Sequence, residues 1–107
     1  MISNIPAPGP KFDFTGRSIV LKLIDRAAEL TQEPSAAIRS AQRQRELFLI
    51  RAGIIYVARE RGRSFPQIGR ALNRDHTSAI HAYRRAKAML SEDAQFSAFV
   101  RALESVH

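Results

Sequence analysis

The sequence predicts an all-α protein, a compact bundle of five to six helices that contains a helix-turn-helix. Three observations support this fold class. Apolar residues recur at three- and four-residue spacing along most of the chain, helix start signals occur at three places, and no strand-like alternation competes with them. With 107 residues, of which 45% are hydrophobic and 25% charged, the chain amounts to one globular domain.

The first sixteen residues are predicted to form a flexible arm, and residues 17–107 the helix-turn-helix domain. Closely spaced prolines and glycines forbid a helix in the arm and favour an extended tail. They are Pro6, Pro8, Gly9, Pro10 and Gly16. Phe12 and Phe14 alternate there, so the arm either docks on its own domain or meets a protein partner.

Three helical segments are predicted before the helix-turn-helix. The first covers residues 18–31, capped by Ser18, and a short helical turn follows at 35–38, after Pro34. A long helix is then expected over 42–61. The apolar positions that define the first helix are Val20, Leu23, Ile24, Ala27 and Leu30, and those of the long helix are Leu47, Ile50, Ile54 and Val57, with Phe48 and Ile55 alongside.

The strongest start signal is the segment Ser64-Phe65-Pro66-Gln67. Serine at the cap, proline in the first turn and glutamine three residues after the serine together predict a capping box. The short helix that follows should end at Asn73, because asparagine tolerates the left-handed conformation that often terminates a helix.

Two more helices are predicted after a very short turn. One runs from about Asp75 to Leu90, and the last begins after Ser91-Glu92-Asp93, which supplies its cap. Apolar positions expected to face the core are Ala79, Ile80, Tyr83, Ala86 and Leu90 in the first of these helices, and Phe96, Phe99, Val100, Leu103 and Val106 in the second.

Positive charge is concentrated in the middle of the chain. The net charge is +7, but residues 39–87 carry twelve Lys or Arg against three acids, a net +9, and the remainder is −2. A basic middle between mildly acidic ends is typical of a protein that binds a polyanion, most often nucleic acid.

Several classes of protein are disfavoured by composition. With no cysteine there is no disulfide, thiolate nucleophile or cysteine-ligated zinc. No apolar run is long enough to span a bilayer, and the N-terminus lacks the pattern of a signal peptide. His76 and His81 are five residues apart, not the four that would align two metal ligands on a helix. We therefore expect a cytoplasmic protein without enzymatic activity, cofactor, metal or membrane contact.

Two helices joined by a very short turn, the second opening on polar residues in a basic surround, form the layout of a helix-turn-helix. Residues 64–82 indicate a particular family of helix-turn-helix domains. They closely resemble the signature of the C-terminal DNA-binding domain of the DnaA replication initiators, whose hallmark Arg-Asp-His-Thr-Thr run opens the recognition helix. Here the run is Arg74-Asp75-His76-Thr77-Ser78. The resemblance covers roughly residues 18–104 and includes Arg43-Gln44-Arg45-Glu46.

The resemblance implies double-stranded DNA as the partner, at DnaA-box-like sites, and a role for each matching residue. Base contacts in the major groove fall to Asp75, His76, Thr77 and Ser78, joined by Phe65, Pro66 and Arg59; Arg43 is the minor-groove candidate; phosphate contacts fall to Arg45, Arg51, Ser64, Arg74 and His81. The chemistry suits these roles, because a carboxylate accepts from cytosine N4 and arginine is attracted to a narrow minor groove. The alternatives without a DNA contact are a helix cap for Asp75 and solvated charges for the arginines.

Four departures from the family pattern matter. A single Asn73 replaces the usual glycine pair, Leu49-Ile50 stands where the family has Arg-Pro, and Ser78 replaces a threonine. The chain also has no Gly-x-x-x-x-Gly-Lys-Ser/Thr phosphate loop, so no bound nucleotide is expected. We expect either a separately encoded DNA-binding protein that regulates transcription or replication initiation, which the arm beginning at Met1 favours, or an excised fragment.

Other functions stay open at this stage. The basic segment could meet an acidic protein partner, in which case Asp75 and Thr77 would not matter, or bind DNA without sequence preference. RNA is a weaker alternative, since a helix reads the wide major groove of B-form DNA and not the narrow one of A-form RNA.

Overall fold

The computed structural model describes residues 16–107, and within that range the chain folds into six α-helices without a strand. The predicted all-α fold class is confirmed. The helices are α1 (Arg17–Thr31), α2 (Ser35–Ile38), α3 (Arg45–Glu60), α4 (Phe65–Leu72), α5 (His76–Glu92) and α6 (Ala94–Glu104). None of these helices is long and apolar enough to cross a membrane. The predicted arm lies outside the described residues except for Gly16.

The first helix ends at Thr31 as predicted, but its start and the burial of its last turn differ from the prediction. It begins one residue earlier, with Gly16 at the N-cap in the left-handed conformation and no side-chain cap, so Ser18 lies inside the helix. Four of its five predicted core residues are buried, but Leu30 is 40% exposed. The reason is tertiary: the last turn of α1 borders an open groove, which a periodicity argument cannot detect.

Helix α3 is the centre of the bundle and packs against each of the other five helices. Its predicted apolar stripe is buried as expected, and Ala52, Gly53, Ile55 and Ala58 are buried as well. Gly53 allows this close packing, because a Cβ there would lie 2.6 Å from the Phe99 ring of α6. The helix starts at Arg45, three residues later than predicted, which leaves residues 39–44 as a loop.

The two helices of the helix-turn-helix are α4 and α5, joined by residues 73–75 only. Ser64 and Gln67 form the predicted capping box, with hydrogen bonds of 3.2 Å and 2.8 Å. Asn73 ends α4 in the left-handed region, with φ of 56°, as predicted. Gly69 permits the tight turn, since a Cβ there would collide with the carbonyl oxygen of Arg74.

Helices α5 and α6 close the core. The predicted cap of the last helix is confirmed, because the Asp93 carboxylate accepts the Phe96 N–H at 3.0 Å. The core face is rotated slightly from the prediction, with Ala82 and Met89 buried beside Ala79 and Ala86. Of the predicted core positions in the two helices, Ile80, Tyr83, Leu90, Phe99 and Val106 are only partly buried.

Candidate nucleic-acid interface

The N-terminus of α5 is capped by Asp75. One carboxylate oxygen, Oδ1, accepts the backbone N–H groups of Thr77 at 2.7 Å and of Ser78 at 3.1 Å. These hydrogen bonds stabilise the charged form and hold the pKa of Asp75 below its ordinary value. The carboxylate is exposed and can accept more than two bonds. Capping therefore leaves it able to accept a base amino group.

The rest of the first turn of α5 is equally open. His76, Thr77 and Ser78 are all exposed. The N-terminus of a helix carries partial positive charge and unpaired N–H groups, which favour a negatively charged ligand there. This turn therefore combines donors, acceptors and a favourable field on an accessible surface.

The loop at residues 39–44, which we call the basic loop, is built around a buried arginine. Arg51 of α3 is only 5% exposed. Its guanidinium donates to four backbone carbonyls, those of Ala37 at 3.1 Å, Ile38 at 2.7 Å, Ser40 at 2.9 Å and Gln42 at 2.7 Å. Burial and the nearby Arg74 lower the pKa of Arg51. These bonds and this burial argue against the phosphate contact predicted for Arg51.

Three further hydrogen bonds tie the basic loop to the last turn of α4 and to the turn between α4 and α5. Arg74 Nη2 donates to the Ser40 carbonyl at 2.6 Å. Asn73 Nδ2 donates to the Arg39 carbonyl at 3.2 Å, and Arg39 Nε in return donates to the Ala71 carbonyl at 3.0 Å. The loop and the turn are thus held as one unit, which we call the loop–turn clamp. Because Arg74 takes part in this clamp, its predicted phosphate role would be secondary.

A cleft of about 610 Å³ separates the basic loop from the start of α5. Its lining includes seven of the predicted site residues: Arg43, Arg51, Arg74, Asp75, Thr77, Ser78 and His81. Phe48, Ile55 and Ala82 complete the lining. The fold therefore brings the proposed minor-groove arginine and three of the proposed base-contacting residues, Asp75, Thr77 and Ser78, to the edges of a single cleft.

A second group of predicted residues gathers around the start of α4. The Arg59 guanidinium lies over the Phe65 ring, 4.6 Å from its centroid, and Phe65 meets Tyr83 edge-on at 5.5 Å. Tyr83 donates to Glu60 at 2.7 Å, and this hydrogen bond raises the pKa of Tyr83. Phe65 therefore links α4 to α5.

The remaining predicted residues lie outside the cleft lining. Pro66 and His76 are exposed, and Arg45, the first residue of α3, is exposed as well. Ser64 uses its oxygen as the cap acceptor, which leaves its hydroxyl hydrogen free to donate to a phosphate.

Sequence reasoning missed the residues that organise the site. The side chains of Arg39, Asn73 and Arg74 form the clamp by donating to backbone carbonyls, and a carbonyl acceptor has no signature in a sequence. One signal for Arg51 was available, because it is the sole charged residue in the otherwise apolar stretch 47–58. A single arginine inside such a run indicates a buried, fully hydrogen-bonded side chain.

Comparison with known proteins agrees with the geometry. The family model described as the bacterial dnaA protein helix-turn-helix matches residues 20–86. Similar curated proteins are chromosomal replication initiator proteins DnaA. The one from Streptococcus mutans is 40% identical over 52% of this chain and 13% of its own length, and the one from Gluconobacter oxydans is 38% identical over 60% of this chain and 14% of its own. The chain thus spans about one seventh of the relatives it matches. Since the family model covers more than half of the chain, the protein belongs to the bacterial DnaA helix-turn-helix family.

Proposed function

We propose that this protein binds double-stranded DNA with sequence preference, placing the first turn of α5 in the major groove and Arg43 in the adjacent minor groove. The observation that carries the proposal is the cleft between the basic loop and α5, with Arg43, Asp75 and Thr77 at its edges. A duplex presents its two grooves on either side of a phosphate backbone, so a protein that reads both needs two such edges flanking a cleft.

The residue chemistry supports base contacts in the major groove. The Asp75 carboxylate suits cytosine N4, while the Thr77 and Ser78 hydroxyls suit base edges or phosphate, and the Thr77 methyl suits thymine. Phe65 and Pro66 at the start of α4, with Arg59 of α3 over the Phe65 ring, form the second proposed contact group. Arg45, Ser64 and His81 are the proposed phosphate contacts. Arg51 is assigned a different role, that of holding the loop that carries Arg43.

The biological setting follows from this binding activity. A DNA-binding protein of this family would act on the bacterial nucleoid, in the cytoplasm, at sites that resemble DnaA boxes. Its effect there would be on transcription or on replication initiation. This is a binding function and needs no nucleotide, metal or cofactor. The predicted division into an arm and a domain, and a protein partner for the arm, stay predictions.

The test is a fluorescence-anisotropy titration with a duplex that carries a DnaA box (TTATCCACA) and with a scrambled duplex of the same length, each at two salt concentrations. We expect the box to bind at least about tenfold more tightly, a difference of about 1.4 kcal/mol. Arg43→Ala should reduce affinity for the box by roughly tenfold or more. Arg101→Ala, which removes an exposed arginine of α6 away from the cleft, is the matched control.

Each other outcome has a distinct meaning. Equal binding to both duplexes with a steep salt dependence would show that the protein recognises backbone charge or another sequence. If neither duplex binds at moderate salt, or if Arg43→Ala and Arg101→Ala weaken binding equally, the proposed interface is wrong. A protein-interaction module would then be the better explanation of the basic segment.

A further inference from the structure

A second groove lies between the end of α1, the first half of α3 and α6. It has a volume of about 590 Å³ and shares no lining residue with the cleft at α5. Its apolar lining is Leu30, Leu49, Ile50, Phe96, Ala98, Phe99 and Ala102. Leu30 is 40% exposed and is the one large hydrophobic residue that is exposed in the range 16–107. The apolar surface that α1 leaves uncovered is therefore concentrated in this groove.

The charge of this groove is opposite to that of the protein. Glu33, Glu46 and Asp93 contribute to the lining, and no lysine or arginine does, although the chain contains seventeen. None of the three carboxylates forms an ion pair with a residue in the described range. A negative, apolar groove on a chain of net charge +7 repels DNA and attracts a ligand that is both cationic and apolar.

The shape and negative charge of the groove indicate what kind of ligand it can bind. A second copy of the described domain is a poor fit, because its only exposed large hydrophobic residue is Leu30 itself. Pairing groove to groove would also bring like charges together. A helix that places apolar side chains at i, i+3 or i+4, and i+7 fits a groove bounded by three helices. Lysines or arginines on its flanks would face Glu33, Glu46 and Asp93.

We propose that this groove binds a basic amphipathic helix of a partner protein. The interaction uses Leu30, Leu49 and Phe99 as the apolar contact and Glu33 and Glu46 as the main charged contact. It is independent of the DNA interface. Five of the twelve lining residues belong to α6, which lies beyond the residues matched by the family model.

The test uses the full chain and a fluorescein-labelled designed helical peptide of leucine and lysine, with leucines at i, i+3 and i+7. A second peptide with glutamate in place of lysine is the matched ligand. We expect the lysine peptide to bind and the glutamate peptide to bind at least tenfold more weakly. In ¹⁵N–¹H spectra of the labelled protein, the lysine peptide should shift signals from residues 30–33, 46–50 and 93–102.

Protein variants locate the site. Glu33→Lys combined with Glu46→Lys should weaken peptide binding at least tenfold, and Leu30→Ser should weaken it several-fold. Asp25→Lys combined with Glu104→Lys makes the same charge change at exposed positions outside the groove and should have a much smaller effect. Circular dichroism checks that each variant is folded.

Three results would overturn the proposal. The first is equal loss of peptide binding in both double variants, which would indicate general electrostatic attraction. The second is a set of spectral shifts that avoids the groove. The third is a dimer of the chain alone, seen by light scattering and dissociated by Leu30→Ser, which would make a second copy the occupant.

Discussion

At the end of α2 and in the basic loop, backbone carbonyls converge on a buried guanidinium, whereas in the first turn of α5, backbone N–H groups converge on an exposed carboxylate. Arg51 satisfies four acceptors and is 5% exposed. Asp75 satisfies two donors and is exposed. Both side chains organise backbone next to the same cleft, but only Asp75 is also accessible to a ligand. A charged residue beside this cleft can therefore act by holding the backbone in place or by offering an accessible group to a ligand.

The largest effect is expected for Arg51→Leu. The substitution removes four hydrogen bonds, and of the four carbonyls only those of Ala37 and Ser40 keep another donor within the described residues. We expect the free energy of unfolding to fall by about 3 kcal/mol. Urea denaturation followed by circular dichroism measures this change. The stability of Arg51→Lys should lie between those of Arg51→Leu and the unmodified protein, since lysine keeps a positive donor but its ammonium group cannot reproduce the planar fork of arginine. Stability unchanged in Arg51→Leu would contradict the role given to this residue.

Asn73→Ala should have the next largest effect, because Asn73 lies in both the helix-turn-helix and the loop–turn clamp. Alanine in the left-handed conformation and loss of the bond to the Arg39 carbonyl should together cost about 2 kcal/mol in unfolding free energy. Asn73→Gly removes the same bond without the steric penalty, so it should cost less. If Asn73→Ala and Asn73→Gly are equally stable, strain in the left-handed conformation does not contribute to the loss of stability.

Substitutions of Asp75 separate its capping from its proposed base contact. Asp75→Asn keeps an oxygen for the cap, so thermal stability should stay close to that of the unmodified protein, while the preference for the box over the scrambled duplex should drop roughly tenfold. Asp75→Ala should lower both the thermal stability and the preference for the box. A full preference in Asp75→Asn, measured by anisotropy, would limit Asp75 to a structural role.

The smallest effect is the pH dependence of the Asp75 cap. Its pKa is lower in the folded protein than in the unfolded chain, so its contribution to stability is complete above the unfolded value, near pH 4, and is lost as the pH falls through the folded value. The small difference in stability between the protein and Asp75→Asn should therefore shrink as the pH falls below about 4. An NMR titration that gives Asp75 an ordinary pKa would remove the basis of this expectation.

Local signals made much of the fold predictable. The capping box at Ser64, the left-handed Asn73 and the cap at Asp93 all depend on neighbours within a few residues, and the structure has each of them. Ser18 and Leu30 were assigned wrongly because the start of α1 and the exposure of its last turn depend on tertiary packing.

The candidate site likewise has one part that the sequence predicts and another that depends on tertiary contacts. The exposed first turn of α5 could be located from the motif alone. The sequence did not separate Arg51 from Arg43, since both are arginines in one basic segment and the distinction depends on which backbone carbonyls surround the side chain. The loop–turn clamp was unpredictable for the same reason.

The hydrogen bonds of Arg51 should make the shape of the basic loop insensitive to pH and salt. Its partners are neutral carbonyls, so acid has no carboxylate to protonate there, and dissolved ions have no buried ion pair to screen. The basic loop should consequently keep its shape across wide ranges of acidity and ionic strength. A loss of DNA affinity at high salt could then be attributed to the contacts with phosphate, with the protein itself unaltered.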